Sequence, residues 1–310
     1  MKVLGSTQFR PAQAARLLAR SLEESVMLTW SRRGGNRNIA VAPRVNVHSV
    51  HKVTHTGVVE PLKLLTFNIQ VGIKTTKYRH YITKGWKHML PCESRGANLR
   101  RIADLVRDYD LVALQEIDSG SLRSGFVNQV EYIADRAQFP FWYAQLNRDL
   151  GPFAQQGNGV LSRIEPIDVE DHKLPGAIPG RGAILLRLPY GDEIVSLVLL
   201  HLSLGGRSRQ LQLEYVRGLI ESEDHVVVMG DMNSHLSKLL FDSPLAETNL
   251  VPADIVKPTY PAWRPAFALD HVLVSPGLSI AEYEVLDCRL SDHRPLAVSL
   301  ELSDRVPVSQ

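Results

Sequence analysis

In this chain of 310 residues, Asn68, Glu116, His201 and Asp231 come at or just after the ends of apolar runs, and Asp270 and the Asp292-His293 pair come just before such runs. Carboxylates and carboxamides with no cysteine beside them suit a hard, oxygen-preferring cation, and Mg²⁺ commonly binds through one or two carboxylates plus water and a substrate phosphate. Glu116 is the best single ligand candidate, because it follows Leu111-Val-Ala-Leu-Gln115 directly, an unusual place for a merely solvated group. Taken singly, some of these positions have plainer readings. Asn68 could end a strand, and Asp231 in Gly230-Asp-Met-Asn233 could belong to a turn. Asp292-His293 ahead of Arg294-Pro295 serves no obvious packing purpose.

The elements that must position these residues follow from hydrophobic periodicity. Strands are expected at 62–67, 111–115, 158–163, 183–188, 194–200, 226–229, 271–274 and 295–302. Helices are expected at 97–108, 125–137 and 208–221, the first with Leu99, Ile102, Leu105 and Val106 on one face. This interspersion predicts a layered α/β (α+β) domain. In a purely parallel sheet, residues after strands and residues before strands would lie at opposite edges. In a mixed sheet the end of one strand lies beside the start of its neighbour. All the polar positions can then converge on one acidic, histidine-bearing cleft.

Composition sets the outer bounds. With 44% hydrophobic and 22% charged residues the chain can bury a large core, which excludes a fibrous, low-complexity or disulfide-scaffold protein. Cys92 and Cys288 form no thiolate cluster, so a reducing, cytoplasmic setting is expected. No apolar run approaches the ~18 residues of a membrane-spanning helix, and no stable membrane insertion is expected. The net charge of +2 is uneven: residues 1–60 hold nine Lys/Arg against three Asp/Glu, leaving 26 against 30 for residues 61–310. Three divisions are expected: a basic extension over 1–60, one domain over 61–303 and a tail over 304–310. The extension could be a targeting segment, a solvated tail, an overextended start upstream of Met27 or a phosphate-binding arm.

Thr66-Phe-Asn68, Leu114-Gln-Glu116, Gly230-Asp-Met-Asn233, Leu269-Asp-His-Val-Leu-Val274 and Ser291-Asp-His-Arg-Pro295 resemble, in order, the motifs of the endonuclease/exonuclease/phosphatase superfamily with its DNase I-like fold. The resemblance covers about residues 62–302. It implies a four-layer sandwich of two stacked mixed β-sheets flanked by helices, with a divalent-metal phosphodiesterase site at the sheet edge. Carried over by motif, Glu116 is the principal Mg²⁺ (or Mn²⁺) ligand, with Asn68 and Asp292 near the metal or the phosphate. His293 is the general base, since an imidazole titrates near neutral pH, and Asp270 orients it. Asp231 and Asn233 position the water and contact phosphoryl oxygens. His201, followed by Arg207, Arg209 and Gln210, resembles the His-Leu segment of sphingomyelinase-, deadenylase- and tyrosyl-DNA-phosphodiesterase-type members, and His201 either donates a proton to the leaving group or hydrogen-bonds the phosphate. Asn158 in Gln156-Gly-Asn-Gly-Val-Leu-Ser-Arg163 and Arg207 are taken as substrate contacts.

The substrate stays open among nucleic acid, phospholipid and a small phosphodiester. Residues 74–95 interleave Lys74, Lys77, Arg79, Lys84, Lys87 and Arg95 with Tyr78, Tyr81 and Trp86, and could grip phosphates and stack bases or sit on anionic lipid. Lys257-Pro-Thr-Tyr-Pro-Ala-Trp263-Arg264-Pro265 is expected as a rim loop. The slightly acidic domain argues against a sequence-independent duplex nuclease. Two other readings remain at this point: a noncatalytic phosphate- or protein-binding module retaining the fold, and a zinc-dependent hydrolase using His201, Asp231 and His293. A monomer is expected.

Overall fold

The computed structural model describes residues 59–72, 93–253 and 255–303. The expected extension, apart from Val59 and Glu60, the basic-aromatic stretch 74–92 and the tail 304–310 lie outside the described residues. Val59 packs against the buried core, so the folded domain begins no later than that residue.

Among the described residues, twelve strands form two six-stranded mixed sheets. The first has the order β11 (Leu278–Val285), β12 (Leu296–Leu302), β1 (Leu62–Asn68), β2 (Leu111–Asp118), β4 (Gln155–Ser162), β3 (Phe141–Asp149). The second runs β5 (Asp168–Lys173), β6 (Gly182–Tyr190), β7 (Glu193–His201), β8 (His225–Asp231), β10 (Asp270–Val274), β9 (Val251–Pro252). At the centre of each sheet one pair is parallel, β1 with β2 and β7 with β8, and the other pairings are antiparallel.

Alternation along the central strands builds three apolar layers. Leu62 and Leu64 of β1, Leu111 and Ala113 of β2, Val195, Leu197 and Leu199 of β7, and Val227 and Met229 of β8 meet between the sheets. The alternate residues Leu65, Phe67, Val112 and Leu114 face outward and are covered by α1 (Glu93–Val106) and α2 (Gln129–Ala137) through Leu99, Ile102, Val106, Val130 and Ile133. On the far side Val198, Leu200, Val226 and Val228 are covered by α3 (Gly206–Ile220) and α4 (Leu236–Phe241) through Leu213, Val216, Ile220 and Leu239. Both faces of each central strand are buried, which is why these strands read as unbroken apolar runs. The expected four-layer sandwich is the observed one.

The differences from expectation are local. The second helix begins at Gln129 rather than 125, because Gly125 turns in the left-handed region and Asn128 caps the helix, accepting from the amides of Val130 and Glu131. Strands β3, β5, β9 and β11 and helix α4 have no counterpart in the periodicity reading. Arg95, grouped with a surface strip in that reading, is buried in α1.

Candidate active site

Strand pairing brings the polar residues to one edge. His201 at the end of β7 sits beside Asp231 at the end of parallel β8, and Asp231 is opposite Asp270 at the start of antiparallel β10. Asn68 ends β1 on the other sheet, and its Nδ2 donates to Asp231 Oδ2 at 3.1 Å, joining the two sheets through the site. Gly230, before Asp231, has φ +141°, and an added Cβ would lie 1.9 Å from the Leu200 carbonyl oxygen. Only glycine allows β7 and β8 to approach this closely here.

Glu116 reaches the edge through a β-bulge. Between the pairs Leu114–Gly159 and Ile117–Gly157, Gln115 and Glu116 together oppose Asn158, and Glu116 takes φ +55°. Such a bulge re-aims one side chain. Gln115 turns inward to donate to Thr66 Oγ1 at 3.0 Å, and the Glu116 carboxyl stands 3.9 Å from His201 Nε2 with 26% of its side chain exposed. Burial and the neighbouring Asp292 raise its pKa, against the opposing pull of His293, Asn68 and Arg181.

His293 and Asp270 form a tight pair, with His293 Nδ1 2.8 Å from Asp270 Oδ2 and Thr259 Oγ1 donating to the same oxygen at 2.6 Å. Nδ1 therefore carries the proton, and Nε2 faces the cluster 3.8 Å from Asp231 Oδ2. The Tyr260 ring lies against the imidazole, centroids 4.9 Å apart. Burial lowers the His293 pKa, but the surrounding carboxylates of Asp270, Asp231 and Asp292 outweigh it and hold the group well above its ordinary value. Asp231 is raised to about 7, chiefly by burial. Asp292 is buried and its carboxylate accepts from Ser291 Oγ.

His201 behaves in the opposite way. Burial, then the positive charges of Arg181 and His293, push its pKa well below the usual value. Arg181 Nη1 lies 2.5 Å from His201 Nε2. A guanidinium can only donate, so His201 is neutral with its proton on Nδ1. Its Nε2 serves as the acceptor that positions Arg181.

The remaining expected residues divide between cluster and surroundings. Asn233, at φ +48°, donates its amide N–H to Asp231 Oδ1 at 3.0 Å and its Nδ2 to the Leu202 carbonyl at 3.0 Å, so it fixes the end of β8 against the end of β7. Asn158 is buried opposite the bulge and donates to Gln145 Oε1 and the Gly182 carbonyl, leaving its Oδ1 without a hydrogen-bond partner. Arg207 is exposed on the first turn of α3, on the rim rather than in the cluster. Arg181, Thr259 and Tyr260 belong to the site; Arg181 was not singled out, and Thr259 and Tyr260 were expected only as part of the rim loop 257–265. The available signal for Arg181 was a lone charge in Pro179-Gly-Arg-Gly182 just ahead of an apolar strand that pairs with β7.

The donor set is oxygen with one imidazole. Ligand atoms of Asp231, Asp270 and His293 lie within 4.8 Å of one another, and this buried cluster could hold a metal ion. Glu116 and Asp292 add a second pair of carboxylates, and the Asp292 charge is one of the causes that raise the Glu116 pKa. Clustered carboxylates with no thiolate fit a divalent, oxygen-preferring cation.

Comparison with solved structures bears on the same arrangement. The fold is similar to that of an endonuclease/exonuclease/phosphatase from Beutenbergia cavernae, with 21% identity, a TM-score of 0.63, and 81% of this chain and 73% of that one covered. It is also similar to a mannosyl-6-phosphatase from Bacteroides thetaiotaomicron (16% identity, TM-score 0.57, 78% and 100% covered) and to D. rerio TDP2 complexed with single strand DNA product (14%, 0.57, 78% and 99%). A search of curated protein sequences returned no match. At these identities the structures speak for the fold alone. The sequence model of the Endonuclease/Exonuclease/phosphatase family, however, matches residues 65–293, from the first strand to the histidine of the edge cluster. The chain therefore belongs to the endonuclease/exonuclease/phosphatase family, whose members hydrolyse phosphoesters.

Proposed function

We propose that this protein is a Mg²⁺- or Mn²⁺-dependent phosphodiesterase in which His293 activates water for in-line attack on a phosphoester. The observation that carries the reading is the Thr259–Asp270–His293 chain of hydrogen bonds, which engages His293 Nδ1 and leaves its Nε2 facing Asp231 in the cleft. Asp270 holds the ring in the tautomer a general base needs and stabilises the imidazolium that forms. Glu116, Asp292 and Asn68 are the residues that would hold the cation, since Asp270 Oδ2 is already engaged by His293 and Thr259. A bound divalent ion supplies charge neutralisation on the phosphoryl oxygens and the leaving group. Asp231, fixed by Asn68 and Asn233, orients the attacking water. Arg181, seated on His201, contacts a phosphoryl oxygen. The neutral state of His201 favours this positioning role over proton donation. Asn158 and Arg207 are proposed as outer substrate contacts. Nucleic acid and sugar phosphate are the substrates suggested by the similarity to the DNA-bound TDP2 and the mannosyl-6-phosphatase. The protein is proposed to act as a cytoplasmic monomer.

Hydrolysis of bis-p-nitrophenyl phosphate, by wild type and Glu116→Ala with Mg²⁺, Mn²⁺, Zn²⁺ or EDTA, tests this reading. Turnover should require Mg²⁺ or Mn²⁺ and fall by about 10³-fold or more in the variant. His293→Ala should lose turnover to the same order. Activity with Zn²⁺ alone, or undiminished activity of Glu116→Ala, would refute the metal placement.

A further inference from the structure

Four loops that end at the catalytic edge carry large apolar side chains that stand exposed among the described residues. The loop 119–128 follows β2, the β3–β4 hairpin turns at 150–154, the β5–β6 loop covers 174–181, and 202–205 follows β7. The register places all four at the end of the sheets that holds Glu116 and His201. Phe126, Val127, Leu150, Phe153, Ile178 and Leu204 stand exposed on them, Ile178 at 72% and Leu204 at 77%. Isolated exposed apolar residues are ordinary, but these six occupy adjoining loops. The Leu122 amide donates to the Pro152 carbonyl and the Ser119 amide to Gln155, tying the first loop to the hairpin. The Cβ that Gly180 lacks would lie 3.0 Å from the Arg148 side chain at the hairpin's base. Ala177 donates to Ser208 Oγ at 3.3 Å, and Arg209 Nη1 donates to the Leu204 carbonyl at 3.0 Å. The result is one ridge along the edge.

The charge of this ridge is opposite to that of the domain. Within segments 119–128, 148–156, 173–181 and 202–209, Arg123 is buried against Asp118 and Arg181 lies in the site, which leaves Arg148, Lys173, Arg207 and Arg209 against the single acid Asp149, although residues 61–310 as a whole hold 26 Lys/Arg against 30 Asp/Glu. Apolar side chains set among cations match the interface of an anionic bilayer, where the first enter the acyl boundary and the second meet headgroup phosphates. Base stacking on single-stranded nucleic acid requires aromatic faces, and four of the six residues are aliphatic.

We infer that the ridge docks the catalytic edge on an anionic phospholipid surface, so that phosphate esters of lipid headgroups are the substrate class. This rests on the phosphodiesterase reading for the chemistry but not for the docking. The test is sedimentation of the full chain with vesicles of phosphatidylcholine, alone or mixed with phosphatidylglycerol, beside the variant Phe153→Ser/Ile178→Ser/Leu204→Ser. Wild type should partition to the mixed vesicles at least tenfold more strongly than to phosphatidylcholine. The variant should bind the mixed vesicles about a hundredfold more weakly while hydrolysing bis-p-nitrophenyl phosphate at the wild-type rate. Indifference to phosphatidylglycerol, or equal binding by the variant, would overturn the docking. So would binding to a single-stranded oligonucleotide that the variant loses when vesicle binding is absent. Docking that persists without soluble-ester hydrolysis would sustain the surface and refute the chemistry.

Discussion

At the scale of single residues, the site is held in arrangements that fold stability would not select. Glu116 adopts a left-handed backbone conformation in the middle of a strand and places a carboxylate beside Asp292. Non-glycine residues pay about 1–2 kcal/mol for this region, and such outliers gather where function requires them. Glu116→Gly should therefore raise the free energy of unfolding in urea by about 1 kcal/mol, while abolishing metal-dependent turnover. A destabilised but active variant would show that the bulge serves packing instead. Residues whose motif spans a strand end, such as Asn68, Asp231 and His293, were legible in sequence because a polar group interrupts an apolar run. Arg181 was not, and Thr259 was legible only as part of the rim loop 257–265, since each reaches the cluster from a loop and no periodicity marks it.

At the scale of elements, every strand recovered from periodicity lies inside a sheet, and the four that were missed, β3, β5, β9 and β11, are the four sheet edges. A central strand buries both faces and reads as Leu-Val-Ala-Leu or Val-Val-Val-Met. An edge strand such as Asp168-Val-Glu-Asp-His-Lys173 has one partner and much exposed surface, so its sequence looks like a polar loop. The loop after Glu116 is organised differently, around a carboxylate. Asp118 is fully buried and accepts from the amides of Gly120 and Ser121, the hydroxyls of Ser121 and Ser124, and Arg123 Nε at 2.5 Å. Burial alone would raise its pKa, but these donors hold it below the usual carboxylate value. Asp118→Ala leaves Arg123 buried without its partner and should cost about 3–5 kcal/mol in chemical unfolding. A loss under 1 kcal/mol would mean the loop reorganises around another acceptor.

At the scale of the whole molecule, the two sheets are tied at the end away from the site by Tyr190. Its hydroxyl lies 3.1 Å from the Glu60 carbonyl oxygen and 3.0 Å from that of Leu300. Burial, chiefly, raises its pKa to about 12, against about 10 in an unfolded chain. The neutral phenol is thus favoured by folding. Its contribution is complete below pH 10 and is lost as pH rises from 10 through 12. Urea unfolding of wild type should lose up to about 2 kcal/mol across that interval, and Tyr190→Phe should lose correspondingly less; identical pH profiles would refute the assignment. Because Val59 and Glu60 already take part in the core and in this contact, removal of residues 1–58 should leave a soluble chain with the same unfolding midpoint, whereas an insoluble product would place the domain boundary further upstream.

One feature of the topology bears on how the protein is made. The second sheet is drawn from a continuous stretch of chain, residues 168–274, whereas the first opens with β1 and is completed only when β12 returns to pair Leu62 with Leu300. On the ribosome, β1 emerges early and must wait for nearly the entire chain before its outer neighbour exists. Asp292 and His293 arrive at the same late moment. A polypeptide terminated before Asp292 thus lacks the proposed proton acceptor and also presents the unpaired, apolar flank of β1, a template for association with other chains. Chains that end before β12 are therefore expected to associate through that open flank rather than to fold into a partly working domain.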